Sequence, residues 1–393
     1  MHARGALRPT VTGVMSEGAS TSSGESSALL IWILHSTGAG ANRQLLDMAS
    51  ALDAQHEVKY VLDPPLRAFL DRFTPGAHRR IPARKREALS PPWPDLVLIG
   101  GGRSLVDALR IRHASGGHSR IVCLGRPGAP FHWVDCIITT PQYRLPQHPR
   151  VLHLEMPLNH ADPNACAEAG AAWQDRFAHL PRPWYGVLLG GDSGSYRFTT
   201  AAAAELGREL DALTAAGGSV LITTSPRTPP GVLETMLESI AAPHFCHRWQ
   251  PGQSDNPLPA ILGLADKFVV TADSASMLAE ACSTGRPVAG FEPPLRWRAR
   301  LAGRGRRPSP PGAATGMLAR WRNALVVRGC WVPARDMGCI YHTLRDENRI
   351  CTVDALGLRD HQHGFQREPF KAAVARLREL MLQPETPPAE RTR

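Results

Sequence analysis

This sequence predicts an α/β protein of two consecutive doubly wound domains that face one another across a cleft. Three observations predict it. Short apolar runs recur with the character of parallel strands covered on both faces. Stretches with apolar residues at helical spacing lie between them. Pro181-Arg182-Pro183 interrupts the alternation near its middle, after which it starts again. At 393 residues the chain exceeds one ordinary core, which agrees with two domains.

Residues 1–28 are rich in Ser, Gly, Thr and Ala and read as a disordered tail. Strands are then expected at Leu29–Leu34, Val58–Leu62, Leu96–Ile99, Ile121–Leu124, Cys136–Ile138 and Val151–Leu154. Helices are expected at Asn42–Asp53, Ser104–His113 and Asn164–Leu180, giving a first domain over 29–182. The second domain, 183–345, repeats the pattern. Its expected strands are Gly186–Leu189, Val220–Thr223, Phe245–Trp249, Phe268–Val270 and Val288–Phe291. Its expected helices are Ala201–Ala215, Val232–Ile240, Ala260–Ala265 and Ser276–Ser283. Within it, 295–322 is an Arg/Pro-rich insertion read as a solvated loop, although Trp297 and Trp321 among the arginines also admit a membrane-surface or nucleic-acid patch. The segment 346–393 holds an amphipathic helix, Phe370–Leu382, and a frayed tail from Pro384.

With 43% hydrophobic and 20% charged residues, the chain can bury two sizeable cores. Its net charge of +10, from 45 basic against 35 acidic residues, suits anionic ligands and equally follows from an Arg-rich composition alone. Eight scattered cysteines contain no C-x-x-C pair, which argues against a zinc knuckle or a dithiol motif and for reduced, buried thiols. No metal is expected; His361 and His363 sit in a polar stretch and read as exposed. Without a secretory-type leader or an apolar run of roughly 20 residues, the expectation is a soluble, cytoplasmic protein.

Chemistry concentrates in loops that follow strands, because a parallel sheet delivers such loops to helix N-termini with free N–H donors. Four loops fit: Ser36–Gly40, Gly100–Ser104, Gly190–Ser195 and Thr271–Ser276. A fifth, Ser225-Pro226-Arg227-Thr228, offers a guanidinium able to hold phosphate oxygens. Glycine in tight turns is also demanded by sterics alone, and neither a phosphate-binding P-loop nor a G-x-G-x-x-G fingerprint is present. The fourth loop is the most specific. Asp273-Ser274-Ala275-Ser276 places two hydroxyls near a helix N-terminus, and Glu280 follows about one turn on, within reach of a ribose diol. The same residues also suit plain helix capping.

The strings Gly190-Gly191-Asp192-Ser193, Thr223–Pro229, Asn256-Pro257, Ala265–Met277 and Glu280–Val288 resemble the elongated-mitochondria, or mitochondrial-fission, family. The resemblance spans roughly Leu29 to Phe291 and is poor in the Arg/Pro-rich stretch. It implies a GT-B-like pair of Rossmann-like domains, the second holding a nucleotide-sugar donor and no permanently bound cofactor. The candidate donor contacts from the loops are Gly38 and Gly40; Gly101 and Gly102; Gly190, Gly191, Asp192 and Ser193; Ser225, Arg227 and Thr228; and Asp273, Ser274, Ser276, Met277 and Glu280, and the resemblance implies Glu280 at the ribose with nearby loop amides at the diphosphate. One departure is that Gly40-Ala41-Asn42-Arg43-Gln44 lacks the Gly-His expected before a Gln, which leaves His35, Asp192 and Asp273 as acid–base candidates. The expected function is sugar transfer to an acceptor the sequence does not identify. The alternative is a non-catalytic adaptor or sensor that recruits a protein at a membrane surface. Small-molecule nucleotide-sugar and peripheral contact with anionic membrane are the expected partners; nucleic acid is disfavoured.

Overall fold

The centre of the first parallel sheet is built from apolar runs in which nearly every side chain is covered. The computed structural model of the protein describes residues 29–36, 39–61, 63–64, 70–71, 74, 76–253, 255–304, 316–358 and 368–383. The tail 1–28, Gly38, the middle of the Arg/Pro-rich stretch, His361, His363 and the tail from Pro384 lie outside them. β1 (Leu30–Leu34), β3 (Leu96–Ile99), β4 (Arg120–Leu124) and β5 (Cys136–Thr139) form the buried centre, with β2 (Gln55–Lys59) and β6 (Val151–His153) at the edges. The order is β2-β1-β3-β4-β5-β6, all parallel.

The second sheet comprises β7 (Trp184–Leu189), β8 (Ser219–Thr224), β9 (His244–His247), β10 (Lys267–Thr271) and β11 (Val288–Phe291), also all parallel. Its order is β11-β10-β7-β8-β9. Strand order therefore reverses between β1 and β3 in one sheet and between β7 and β10 in the other. Such reversal points open a crevice at the carboxyl ends of the strands, where ligands of doubly wound sheets bind.

The flanking helices are α1 (Ala39–Ser50), α2 (Leu105–Ala114), α3 (Pro163–Phe177), α4 (Thr200–Thr214), α5 (Val232–Leu237), α6 (Leu258–Leu264) and α7 (Ala275–Ser283). Local chemistry starts two of them. Asp162 accepts the Asn164 N–H ahead of Pro163 in the first turn of α3, and Thr199 accepts the Ala202 N–H at the head of α4. Each sheet is covered on both faces by its own apolar clusters.

Four features differ from the sequence expectation. β2 pairs through Gln55–Lys59 rather than 58–62; as an edge strand it carries exposed Gln55 and His56, so apolarity misplaces it. α3 precedes the Pro181–Pro183 break yet packs on the second sheet, where Trp173 and Phe177 meet Phe245 and Trp184. The Arg/Pro-rich stretch, expected as a loop, begins and ends in helices: α8 (Trp297–Leu301) and α9 (Met317–Val327). Two further helices, α10 (Gly338–Asp346) and α11 (Val353–Leu356), bury Ile340, Leu344 and Leu356 in the second domain.

The last helix, α12 (Glu368–Leu382), returns to the first domain. Its Ala373, Leu377 and Leu380 join Ile31, Leu45 and Leu98 in one cluster, and the Arg120 guanidinium donates to the carbonyls of Leu380 and Gln383. A second tie links the domains directly. Fully buried Asp336 pairs with Arg144 at 2.6 Å, and its N–H donates to the Gln142 carbonyl at 2.8 Å.

Candidate functional site

The two reversal points face one another. A Cβ placed on Gly40, at the start of α1, would lie 3.2 Å from the Ser276 hydroxyl in the first turn of α7. Two helix N-termini thus converge from opposite domains, and neither first turn carries an acidic side chain. Their exposed N–H groups and aligned dipoles favour an anion between them.

Within the second domain the loops after β7 and β10 are interlocked. A Cβ on Gly190 would overlap the Asp273 carboxyl, and one on Gly191 would overlap the Arg227 carbonyl, so both positions require glycine for close approach. Their N–H groups are already engaged: Gly190 donates to Thr271 Oγ1 at 2.7 Å and Gly191 to Asp273 Oδ2 at 2.8 Å. Asp273 is fully buried, its Oδ1 has no partner among the described residues, and Arg227 Nη2 lies 3.6 Å from Oδ2. Burial pushes the Asp273 carboxyl up to about 6, against the pull of the Gly191 N–H and the Arg227 guanidinium. The fifth loop closes on itself: the Ser225 hydroxyl donates to the Gly190 carbonyl at 2.9 Å, and the Ser225 N–H donates to Thr228 Oγ1 at 3.0 Å. Arg227 is the one charged side chain of that loop and stays exposed beside the cleft.

Ser274 precedes α7 and is buried, and its hydroxyl makes no capping bond to the helix. Ser276 is half-buried beside Gly40, and Met277 packs against the domain core. Glu280 lies one turn beyond Ser276 on the same helix. It keeps some accessible surface, yet the surrounding protein desolvates it enough to push its carboxyl up to about 7, against the opposing charge of Arg43 on α1. No hydrogen bond or ion pair engages its carboxylate among the described residues, so a ligand donor can meet it without breaking a protein contact.

The remaining expected residues lie at the rim or serve the fold. Asp192 accepts the Phe198 N–H at 2.9 Å and pairs with Arg296 at 2.8 Å, and the Ser193 carbonyl accepts the Tyr196 N–H. Gly101 adopts a left-handed φ of 90°, and the Gly102 carbonyl accepts the Leu105 N–H at the turn into α2. In the first domain, the Asn42 side-chain amide donates to His35 Nε2 at 2.8 Å and to the Ser36 carbonyl, and its oxygen accepts the Ser36 N–H. The His35 ring also lies against Tyr60, 4.7 Å between centroids.

Sequence reasoning did not single out Asn159, which stands beside Gly40 in the chain between β6 and α3. It is buried, and its Oδ1 lacks a partner among the described residues; a lone polar residue in a connection gives no sequence signal. Among the described residues, no group of three or more His, Cys, Asp or Glu gathers as a metal site. An open depression of about 850 Å³ on the first domain, lined by Arg79, Arg80, Arg86 and Trp93 among others, shares no lining residue with these loops.

A profile of the mitochondrial fission ELM1 family matches residues 39–304, and so takes in both reversal points and the whole of α7. The chain belongs to the mitochondrial fission ELM1 family. Mitochondrial fission protein ELM1 of Arabidopsis thaliana is 31% identical over 216 residues, covering 49% of this chain and 50% of that protein. The chain thus spans about half the length of that relative. Uncharacterized protein RP120 of Rickettsia prowazekii (strain Madrid E) is 22% identical over 298 residues, 67% of this chain and 83% of its own length. Among solved structures, a glycosyltransferase from Rickettsia africae ESF-5 gives a TM-score of 0.46 at 9% identity, covering 91% of this chain and 100% of that one. UDP-GlcNAc 2-epimerase from Neisseria meningitidis bound to UDP-GlcNAc gives 0.41 at 11% identity, covering 89% and 99%. The protein is thus an ELM1-family chain of two parallel α/β domains with converging reversal points and a helix, α12, that returns to the first domain.

Proposed function

We propose that this cleft binds a nucleotide-sugar in the second domain and transfers the sugar to an acceptor admitted from the first. The observation that carries the reading is Glu280: a desolvated, unpartnered carboxylate one turn below two serines at a helix N-terminus. A carboxylate is costly to keep desolvated without a donor, and a ribose diol supplies two. Ser274, Ser276 and the free N–H groups of α7 then suit the diphosphate, with Arg227 near enough to swing from Asp273 to a phosphate oxygen. Transfer breaks the bond between the anomeric carbon and the diphosphate oxygen, and the acceptor nucleophile forms the new bond. Donors aimed at the departing diphosphate stabilise that transition state. Calorimetry with UDP-, GDP- and ADP-sugars tests the reading. One of them is expected to bind, with Glu280→Ala weakening it by about 1–3 kcal/mol. No binding by any, or an unchanged affinity in the variant, would overturn it.

A second reading keeps the fold but not the transfer: an adaptor or sensor that recruits a protein at a membrane surface. It is favoured by the state of the three expected acid–base groups. His35 is engaged by Asn42, Asp192 by Arg296 and the Phe198 N–H, and Asp273 by the Gly191 N–H. A nucleotide-sugar that binds but yields neither hydrolysis nor transfer would select this reading.

A further inference from the structure

Residues 293–335 contain ten arginines and no Asp or Glu. The two helices at either end of that stretch repeat one pattern. In α8, Trp297 and Leu301 are four residues apart and so share a face, 65% and 80% exposed, while Ala299 on the opposite side is buried. Arg298 and Arg300 fall between them, one on each flank. In α9, Met317, Leu318 and Trp321 share a face and are 86%, 81% and 62% exposed, while Val326 lies opposite and is buried. Arg320 and Arg322 again flank the apolar side. A helix of a soluble domain turns its apolar side inward; here each helix buries one small or branched residue and presents its large ones.

Both helices lie by the carboxyl edges of the sheets. Arg296, just ahead of α8, is held by Asp192 and the Tyr196 carbonyl after β7. The end of α9 packs with Phe131 and Leu145, which follow β4 and β5. The edge that carries the cleft loops therefore also carries this surface.

We propose that the outward faces of α8 and α9 form a docking surface for an anionic lipid membrane. Tryptophan suits the boundary between headgroups and acyl chains, and aliphatic tips partition just below it. Flanking arginines meet lipid phosphates, and the absence of carboxylates across forty-three residues removes the repulsion that a mixed-charge surface would bring. The inference is independent of what the cleft binds.

Flotation of the full chain with vesicles of phosphatidylcholine, with and without phosphatidylglycerol, tests it. The protein is expected to float with the anionic vesicles and to be released by salt. Trp297→Ser with Trp321→Ser should abolish flotation, and Arg300→Gln with Arg320→Gln should weaken it about fivefold per arginine removed. Because all four side chains are exposed, circular dichroism and nucleotide calorimetry of both variants should match the parent, which separates this surface from the cleft. Absence of flotation, or equal flotation with neutral vesicles, would overturn the proposal. So would a dimer, seen by light scattering, that the tryptophan variant dissociates, because a second copy would then cover the face.

Discussion

Asp273 and Glu280 are two carboxyl groups that burial pushes the same way and that the protein treats differently. Asp273 is locked between Gly191 and Arg227 and holds two loops in contact, whereas Glu280 makes no hydrogen bond or ion pair among the described residues and has only the charge of Arg43 set against its burial. An acid whose folded value is raised binds its proton longer when folded than when unfolded, so ionisation opposes folding. Stability from Glu280 is therefore fullest below its ordinary value of 4.5 and falls as pH rises through about 7. Glu280→Gln is expected to leave the Tm unchanged in acid. Above pH 7 it should raise stability by on the order of 1–2 kcal/mol, discounted for the partial exposure of the group, in thermal unfolding at both conditions. On the nucleotide-sugar reading the sign reverses for binding: affinity should rise through the same range as the carboxylate forms. The residues from Thr271 to Pro287 stood out in the sequence because strand, turn and helix follow one another without interruption. Asn159 did not, because its significance arises only when the chain after β6 is brought beside Gly40, and Asn42 did not, because a turn that returns its amide to His35 leaves no pattern in the sequence.

At the scale of elements, the buried strands were the most legible feature, since a strand covered on both faces must be apolar along its length. β2 was displaced because an edge strand escapes that requirement. Helices α10 and α11 escaped notice because they are short and their apolar residues pack onto a sheet already complete in the pattern. The chain just before α10 also supplies the tie between domains. Arg144→Met, which leaves the Asp336 carboxylate buried without its cation, is expected to cost about 3 kcal/mol. The loss should appear as a lower Tm and faster amide exchange across 333–340. A variant with unchanged exchange there would show that the pair contributes little to holding the domains.

For the whole molecule, two sheets with reversal points turned toward each other set a cleft whose floor comes from one domain and whose roof comes from the other. The first of these domains is closed by α12, whose Leu377 is fully buried against the first sheet. Leu377→Ala is expected to destabilise the protein by about 2–4 kcal/mol. The weakening should appear as faster exchange in β1 and β3, hundreds of residues upstream, with the second sheet little changed. Exchange confined to the second domain would place α12 energetically elsewhere.

The return of α12 also orders events at the ribosome. Every strand of the first sheet has emerged before the second domain begins, yet a helix that helps to cover one of its faces is made only after that domain. Throughout translation the cluster of Ile31 and Leu98 from the sheet and Leu45 from α1 awaits a cover that arrives only after the second domain is able to fold. The domain synthesised first is thus completed only after the second has been made, and the interval is when a chaperone has most to protect.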